Sequence, residues 1–225
     1  LGRTTLEAAD PPITTCIVEG ANPVTQNPHT EAVIAAFRRM SFTVVIDQFI
    51  TDSALLADIV LPSKSIFEQA DLHAGYWHGH LQYRQKAIEP PGECRTEQWV
   101  YRELARRLDL PLKYFDVETE EVLELSLPPG ITLEMLSERA VLPSSVERIP
   151  FAGAVFETPS GKIELLSRQA EEQWQVDPLP RFTPPVESRQ GTGGLAVKYP
   201  LHFLSTKPKH RIHSQWNHDD RLRRN

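Results

Sequence analysis

Two short polar segments of this chain carry side chains that suit the recognition of a nucleotide. Gly20-Ala-Asn-Pro23 offers a glycine that lets the backbone approach a ligand, and the Asn22 amide both donates and accepts hydrogen bonds. Asp47 offers two carboxylate oxygens, which can accept from a ribose diol or from the N1–H and N2–H2 groups of guanine. Each segment alone is also typical of plain structure, the first of a turn and the second of a helix N-cap.

Three short apolar runs flank these segments and predict a parallel sheet, because they are rich in β-branched residues and too short for helices. They are Thr15–Val18, Thr43–Ile46 and Ile59–Leu61. Between the first two runs, Pro28–Met40 repeats its apolar residues at helical spacing, which predicts a βαβ unit. Open α/β sheets bind ligands at the carboxyl ends of their strands, so we expect Asn22 and Asp47 to share that edge.

Composition excludes several classes of protein. The 225 residues have a net charge of −6, and no basic face typical of nucleic-acid binding is evident before the extreme end. No apolar run reaches the ~18 residues of a membrane span. Cys16 and Cys94 form no CxxC pair, which argues against an iron–sulfur site, a zinc-thiolate site or a disulfide framework within the chain. We expect a cytoplasmic protein, with the periplasm as the alternative, and a chain that is part of a longer polypeptide.

Further elements follow the predicted sheet. Thr51–Ala57 predicts a helical turn with Leu55 and Leu56 inward, and His78-x-His80 predicts two imidazoles on one face of a strand, too few for a metal site. The remaining predictions are a helix over Thr96–Leu108 with Thr96 as N-cap, short helices over Thr119–Ser126 and Thr132–Arg139, a β-hairpin over Phe151–Leu166 and a strand over Tyr199–Ser205.

Several motifs follow one another in a fixed order along the chain. They are Gly20-Ala-Asn-Pro23, Asp47-Gln-Phe-Ile-Thr51-x-x-Ala54, Ala57-Asp-Ile-Val-Leu-Pro62, Ala87-Ile-Glu-Pro-Pro-Gly-Glu93, Thr158-Pro-Ser-Gly-Lys-Ile-Glu-Leu165, and Tyr199-Pro-Leu201 with His213-Ser-Gln215. In these motifs the chain resembles the dimethyl sulfoxide reductase family of molybdopterin oxidoreductases over most of its length. Members of that family bind molybdenum or tungsten through two molybdopterin guanine dinucleotides.

The resemblance implies an α/β fold in three parts. Residues 1–112 would form a Rossmann-like half of a split domain with a parallel sheet, 113–194 connecting segments with a β-hairpin near 151–166, and 195–225 the start of a C-terminal dinucleotide-binding β-barrel. The family's metal ligand and its iron–sulfur cysteine motif lie upstream of the matched region, so we expect both in a preceding part of the polypeptide. Neither a metal ligand nor a catalytic residue is therefore assigned within this chain.

The resemblance also implies roles for individual residues. Asn22 would lie near a phosphate or ribose of the cofactor, Asp47 with the Ile46 backbone would hold a guanine, and Lys207 with Arg211 would neutralise a pyrophosphate. Glu97 stands where the family usually has Asp, which lengthens the arm. The complete set implied for cofactor binding is Gly20, Asn22, Pro23, Ile46, Asp47, Thr51, Gln69, Glu97, Ser205, Thr206, Lys207, His213, Ser214 and Gln215.

The implied function is that of a cofactor-binding part of a larger oxidoreductase. The parent enzyme would transfer an oxygen atom, electrons or hydride on a small substrate such as formate, nitrate or a sulfoxide, and the isolated chain would be inactive. Its expected partners are the rest of its own polypeptide and electron-transfer subunits. Tyr76-Trp-His-Gly-His80 departs from the family pattern and leaves the substrate open. The alternative is a metal-free structural subunit of the same fold, as in the large iron–sulfur subunit of respiratory NADH dehydrogenase.

Overall fold

The computed structural model describes residues 1–111, 117–143, 149–185, 188–191, 194–204, 206, 209, 215 and 221. The chain forms two compact units, one of Leu1–Val146 with Lys207–Asn225 and one of Glu147–Thr206. The assignment of residues 1–112, 113–194 and 195–225 to three named parts of the family fold stays a prediction.

The first unit contains a parallel sheet, an antiparallel hairpin and several helices. In chain order its elements are α1 (Gly2–Glu7), β1 (Thr15–Glu19), α2 (Pro23–Gln26), α3 (Thr30–Arg39), β2 (Phe42–Asp47), a 3-10 helix (Ala54–Leu56), β3 (Ile59–Pro62), β4 (Asp71–Ala74), β5 (Leu81–Arg84), α4 (Glu97–Arg107), α5 (Thr119–Leu125) and α6 (Leu133–Glu138). The second unit contains α7 (Arg168–Trp174) and α8 (Leu195–Lys198).

Strands β1, β2 and β3 form a parallel sheet in that order, which confirms the predicted α/β fold. The three strands end almost level with one another, because Glu19 pairs with Ile46 and Asp47 pairs with Pro62. The connections that follow β1 and β2 therefore leave the sheet side by side, and residues far apart in sequence meet at one edge.

The core of the first unit lies between α3 and the sheet. Val33 and Phe37 of α3 are at most 2% exposed and pack with Val18 of β1 and Val45 of β2. Helix α1 packs on α3 so closely that a Cβ atom at Gly2 would lie 2.7 Å from the backbone of Ala32. Glycine at that position is therefore required by the approach of the two helices.

The second unit differs from the sequence prediction. The expected hairpin over Phe151–Leu166 is not formed. The segment consists of turns, in which the Phe156 N–H donates to the Gly161 carbonyl (3.3 Å) and the Gly161 N–H donates to the Thr158 carbonyl (2.9 Å). The apolar residues that suggested strands, among them Val155, Ile163 and Leu165, are 68–78% exposed, so the described residues form no packed face that would stabilise a sheet there. Residues 199–204 of the predicted strand over Tyr199–Ser205 are likewise irregular.

Two predictions in the first unit are also wrong in detail. His78 and His80 lie in the loop between β4 and β5, where their rings meet edge to face at 5.5 Å, and not on one face of a strand. Leu55 is 71% exposed, whereas Leu56 packs against the core as predicted, because the 3-10 helix turns only one of the two inward. None of the helices formed by the described residues combines the length and apolar character needed to cross a membrane.

Candidate functional site

A cleft of about 650 Å³ lies at the carboxyl ends of the parallel strands. Its walls come from the turn after β1, the loop after β2, the turn after β3 and the start of α4. Half of the residues predicted for the site line this cleft together: Gly20, Asn22, Ile46, Asp47, Thr51, Glu97 and Gln215. The parallel topology alone accounts for the meeting of Asn22 and Asp47, as the βαβ pattern predicts.

Asp47 is the last residue of β2, and its carboxylate is held in one orientation. The Phe49 N–H donates to Asp47 Oδ1 over 3.0 Å, which closes a small turn, and the Ser63 N–H donates to the Asp47 carbonyl over 3.3 Å. Among the described residues, the second carboxylate oxygen, Oδ2, has no partner and Asp47 forms no ion pair. One oxygen of a fixed carboxylate therefore stays available to a ligand in the cleft.

The turn after β1 brings the backbone to the same cleft. Gly20 adopts φ +57°, a left-handed conformation, and a Cβ atom added there would meet nothing within 4 Å. The glycine is thus required by the backbone conformation and not by a close contact. The turn leads directly to Asn22 at the start of α2, where the Asn22 carbonyl accepts from the Gln26 N–H over 2.9 Å.

The Asn22 side chain makes a contact that the sequence does not reveal. Its Oδ1 accepts from both the backbone N–H (3.2 Å) and the hydroxyl (2.7 Å) of Ser53, in the loop after β2. Sequence reasoning missed Ser53, although it lies inside the Thr51-x-x-Ala54 motif. Thr51 itself caps the 3-10 helix, since its Oγ1 accepts from the Ala54 N–H over 3.2 Å.

A backbone bridge to the residue after β3 positions helix α4 at the cleft. Ser63, just after β3, forms a parallel bridge with Arg95, immediately before the N-cap Thr96, whose side chain accepts from the Trp99 N–H over 3.2 Å. Glu97, in the first turn of α4, therefore reaches the cleft wall. Thr96 is the N-cap that the sequence predicts.

A side-chain hydrogen bond also joins α4 to the end of β1. The Tyr101 hydroxyl donates to Glu19 Oε2 over 2.5 Å. This hydrogen bond, with a smaller effect of partial burial, raises the pKa of Tyr101 to about 12. Because Glu19 directly precedes Gly20, the bond fixes the helix against the turn that forms one side of the cleft.

The titration of Tyr101 provides a test of its hydrogen bond to Glu19. A raised pKa means that the bond stabilises the fold fully below pH 10.0, the ordinary value, and is lost as the pH rises through about 12. We expect the ultraviolet titration of the wild type minus that of Tyr101→Phe to show a phenol titrating near pH 12. Glu19→Gln removes the charge of the acceptor and should move that titration toward 10.0. A difference titration already at the ordinary value in the wild type would contradict the bond.

Two further predicted site residues of the first unit, Pro23 and Gln69, are described by the structure and do not line the cleft. Pro23 is buried as the first residue of α2, Gln69 is half-buried outside the cleft, and Thr206 belongs to the second unit. The remaining four, together with Arg211, lie outside the described residues: Ser205, Lys207, His213 and Ser214. Among the described residues, no group of three or more His, Cys, Asp or Glu side chains is arranged to hold a metal ion.

Known proteins resemble the chain in sequence and fold. Residues 5–107 match the family model described as molybdopterin oxidoreductase. The chain is 40% identical to the probable oxidoreductase YyaE of Bacillus subtilis, over 93% of this chain and 32% of that protein. It is 28% identical to the dimethyl sulfoxide reductase DmsA of Escherichia coli, over 86% of this chain and 27% of that protein.

A solved structure shows the same fold. Acetylene hydratase from Pelobacter acetylenicus superposes with a TM-score of 0.72 at 24% sequence identity, over 95% of this chain and 31% of that one. The chain thus spans about a third of the length of the proteins that it matches. Residues 5–107 belong to the molybdopterin oxidoreductase family, and the relatives and the fold agree with the resemblance of the chain to the dimethyl sulfoxide reductase family.

Proposed function

We propose that the cleft binds the guanosine part of a molybdopterin guanine dinucleotide. The observation that carries this proposal is the fixed carboxylate of Asp47, which lines the same cleft as Asn22 and has one oxygen without a partner among the described residues. Guanine presents two adjacent donors, N1–H and N2–H2, which match the two oxygens of one carboxylate. Oδ1 can accept a second bond beside the one from Phe49, since a carboxylate oxygen has two lone pairs.

The rest of the described lining suits a nucleoside. Its charged side chains are all carboxylates, namely Asp47, Asp52 and Glu97, which favour hydroxyl and N–H donors over phosphate. Apolar side chains stand at the same cleft and are 46–71% exposed, as is usual for surfaces that a flat ring covers: Phe49, Ile50, Leu55, Ile66 and Phe67. Lys207 and Arg211 remain our candidates for the pyrophosphate.

The proposed role of this chain is binding and orientation. When bound, the molybdenum or tungsten of such a cofactor supplies oxygen-atom or electron transfer, while Asp47, Asn22 and Glu97 hold the nucleotide end in place. We propose that the longer protein acts on a small substrate such as formate, nitrate or a sulfoxide. An iron–sulfur cluster in its other part and electron-transfer subunits as partners belong to the same proposal.

Titration of the 225-residue chain with GMP and with AMP tests the proposal by calorimetry. Adenine offers Asp47 one donor, N6–H2, beside an acceptor, N1, so AMP loses one charge-assisted hydrogen bond worth about 1.5–3 kcal/mol. We expect GMP to bind about ten- to a hundredfold more tightly than AMP. Equal affinities would contradict the role of Asp47. Binding of neither nucleotide would favour the alternative, a structural subunit of the same fold.

A further inference from the structure

The orientation of the Asn22 amide is set by Ser53. Asn22 is 6% exposed and Ser53 0% exposed, so their contact is shielded from water. A backbone N–H can only donate, and the Ser53 N–H points to one end of the amide over 3.2 Å. That end must be the oxygen, and the NH2 group must take the other position.

The hydroxyl of Ser53 has no freedom to reverse this arrangement. The Val24 N–H donates to Ser53 Oγ over 3.1 Å, so the single hydroxyl proton is left to donate to Asn22 Oδ1 at 2.7 Å. The three groups form a chain of hydrogen bonds in one direction. Donors on the amide oxygen also polarise the amide and strengthen its NH2 group as a donor.

The NH2 group of Asn22 finds no acceptor among the described residues, although the side chain lines the cleft. It is not one of the fully enclosed polar atoms without a partner, which in the described part of the chain are Arg84 Nε and Arg102 Nε. The group is therefore reachable from the cleft. In the described part of the lining, whose charged groups are all carboxylates, it is a donor already oriented for an acceptor oxygen.

We propose that Ser53 is a positioning residue for nucleotide binding: it holds Asn22 so that the amide NH2 donates to an acceptor oxygen of the nucleotide, on its phosphate or its ribose. The inference rests on the proposed function, and it adds a residue that makes no direct contact with the ligand. Because Ser53 acts only through Asn22, a substitution of Ser53 should change the affinity for the nucleotide only while the Asn22 amide is present.

A double-mutant cycle measured with GMP on the full chain tests this role. We expect Ser53→Ala to weaken GMP binding about tenfold, the effect of one hydrogen bond. In the Asn22→Ala background, Ser53→Ala should leave the GMP affinity unchanged, since there is no amide left to orient. A merely structural Ser53 would give the same fold-change in both backgrounds, and that result would overturn the proposal, as would a Ser53→Ala variant that binds GMP like the wild type.

A second variant and a measurement on the wild type keep the test independent of how well Ser53→Ala folds. Asn22→Asp retains an acceptor for both Ser53 donors but replaces the NH2 group by oxygen, so GMP binding should fall at least tenfold. In the wild type, GMP should shift the NMR signals of the Asn22 side-chain NH2. Unchanged affinity in Asn22→Asp, or unshifted signals at saturating GMP, would refute the role.

Guanosine identifies the acceptor. An effect of Ser53→Ala on GMP but not on guanosine assigns the acceptor to phosphate, and an effect on both assigns it to ribose. GMP binding by the wild type distinguishes a failure of the proposed function from a failure of the positioning role of Ser53. A wild type that binds no GMP removes the proposed function itself, whereas a wild type that binds GMP beside an unaffected Ser53→Ala removes only the positioning role.

Discussion

Asp47→Asn is expected to weaken GMP binding by about a hundredfold or more, since two charge-assisted hydrogen bonds of about 1.5–3 kcal/mol each are lost or reversed. The substituted side chain keeps Oδ1 for the Phe49 N–H and so preserves the turn after β2. Its new NH2 group, however, faces the guanine N2–H2, donor against donor. Calorimetric titration with GMP measures the loss, and an affinity within a few-fold of wild type would contradict the assignment.

The same variant should gain a new preference. Xanthine has a carbonyl oxygen where guanine has its 2-amino group, so an asparagine can accept from N1–H and donate to that oxygen. Asp47→Asn is therefore expected to bind XMP more tightly than GMP, the reverse of the wild type. Because this is a gain of binding, it cannot arise from partial unfolding. Asp52→Asn, at another carboxylate of the cleft, is the matched control and should retain the guanine preference.

Phe37→Ala is expected to cost about 3–5 kcal/mol of unfolding free energy, because it deletes a ring from the centre of the packed core. Phe37 is 2% exposed and contacts a cluster that includes Val33 and Val45. A loss of this size is a large part of the ~5–15 kcal/mol that stabilises a typical domain. Urea unfolding followed by circular dichroism measures it.

Arg38→Ala provides the control for Phe37→Ala. Arg38 is the next residue of α3 and lies exposed on the outer face of the helix, so its removal should change the unfolding free energy by less than about 0.5 kcal/mol. Equal unfolding midpoints for the two variants would mean that α3 does not pack on the sheet as described.

The sheet and its helix could be predicted because local pattern and tertiary packing agree there. Thr43–Ile46 has the β-branched character of a buried strand, and Phe42–Asp47 forms β2. Helix α1 was not predicted, because its six residues carry no apolar period. This helix is supported instead by the close approach of Gly2 to α3. The predicted hairpin over Phe151–Leu166 is not formed. Apolar residues on both sides of the Pro-Ser-Gly turn suggest strands locally, but Val155, Ile163 and Leu165 stay 68–78% exposed.

The site was predictable to the extent that topology defines it. Strand ends in a parallel sheet share an edge, which is enough to place Asp47 beside the Gly20 turn. The partner of Asn22 lies 31 residues away, and no local pattern specifies which end of an amide faces it. The position of Glu97 at the cleft likewise depends on the bridge between Ser63 and Arg95, a contact that periodicity does not report.

Pro62, which ends β3, has a consequence for association between molecules. The neighbouring Ser63 N–H points inward to Asp47, so the nitrogen of Pro62 lies on the outer margin of the sheet, where it can donate nothing. Its carbonyl is already taken by the Arg95 N–H at 3.1 Å. A foreign strand that paired with β3 would find no N–H donor at Pro62 and a carbonyl that is already occupied. Strand β1, Thr15–Glu19, contains no proline. Aggregation by strand addition is thus discouraged at one margin of the sheet and must be prevented by other means at β1.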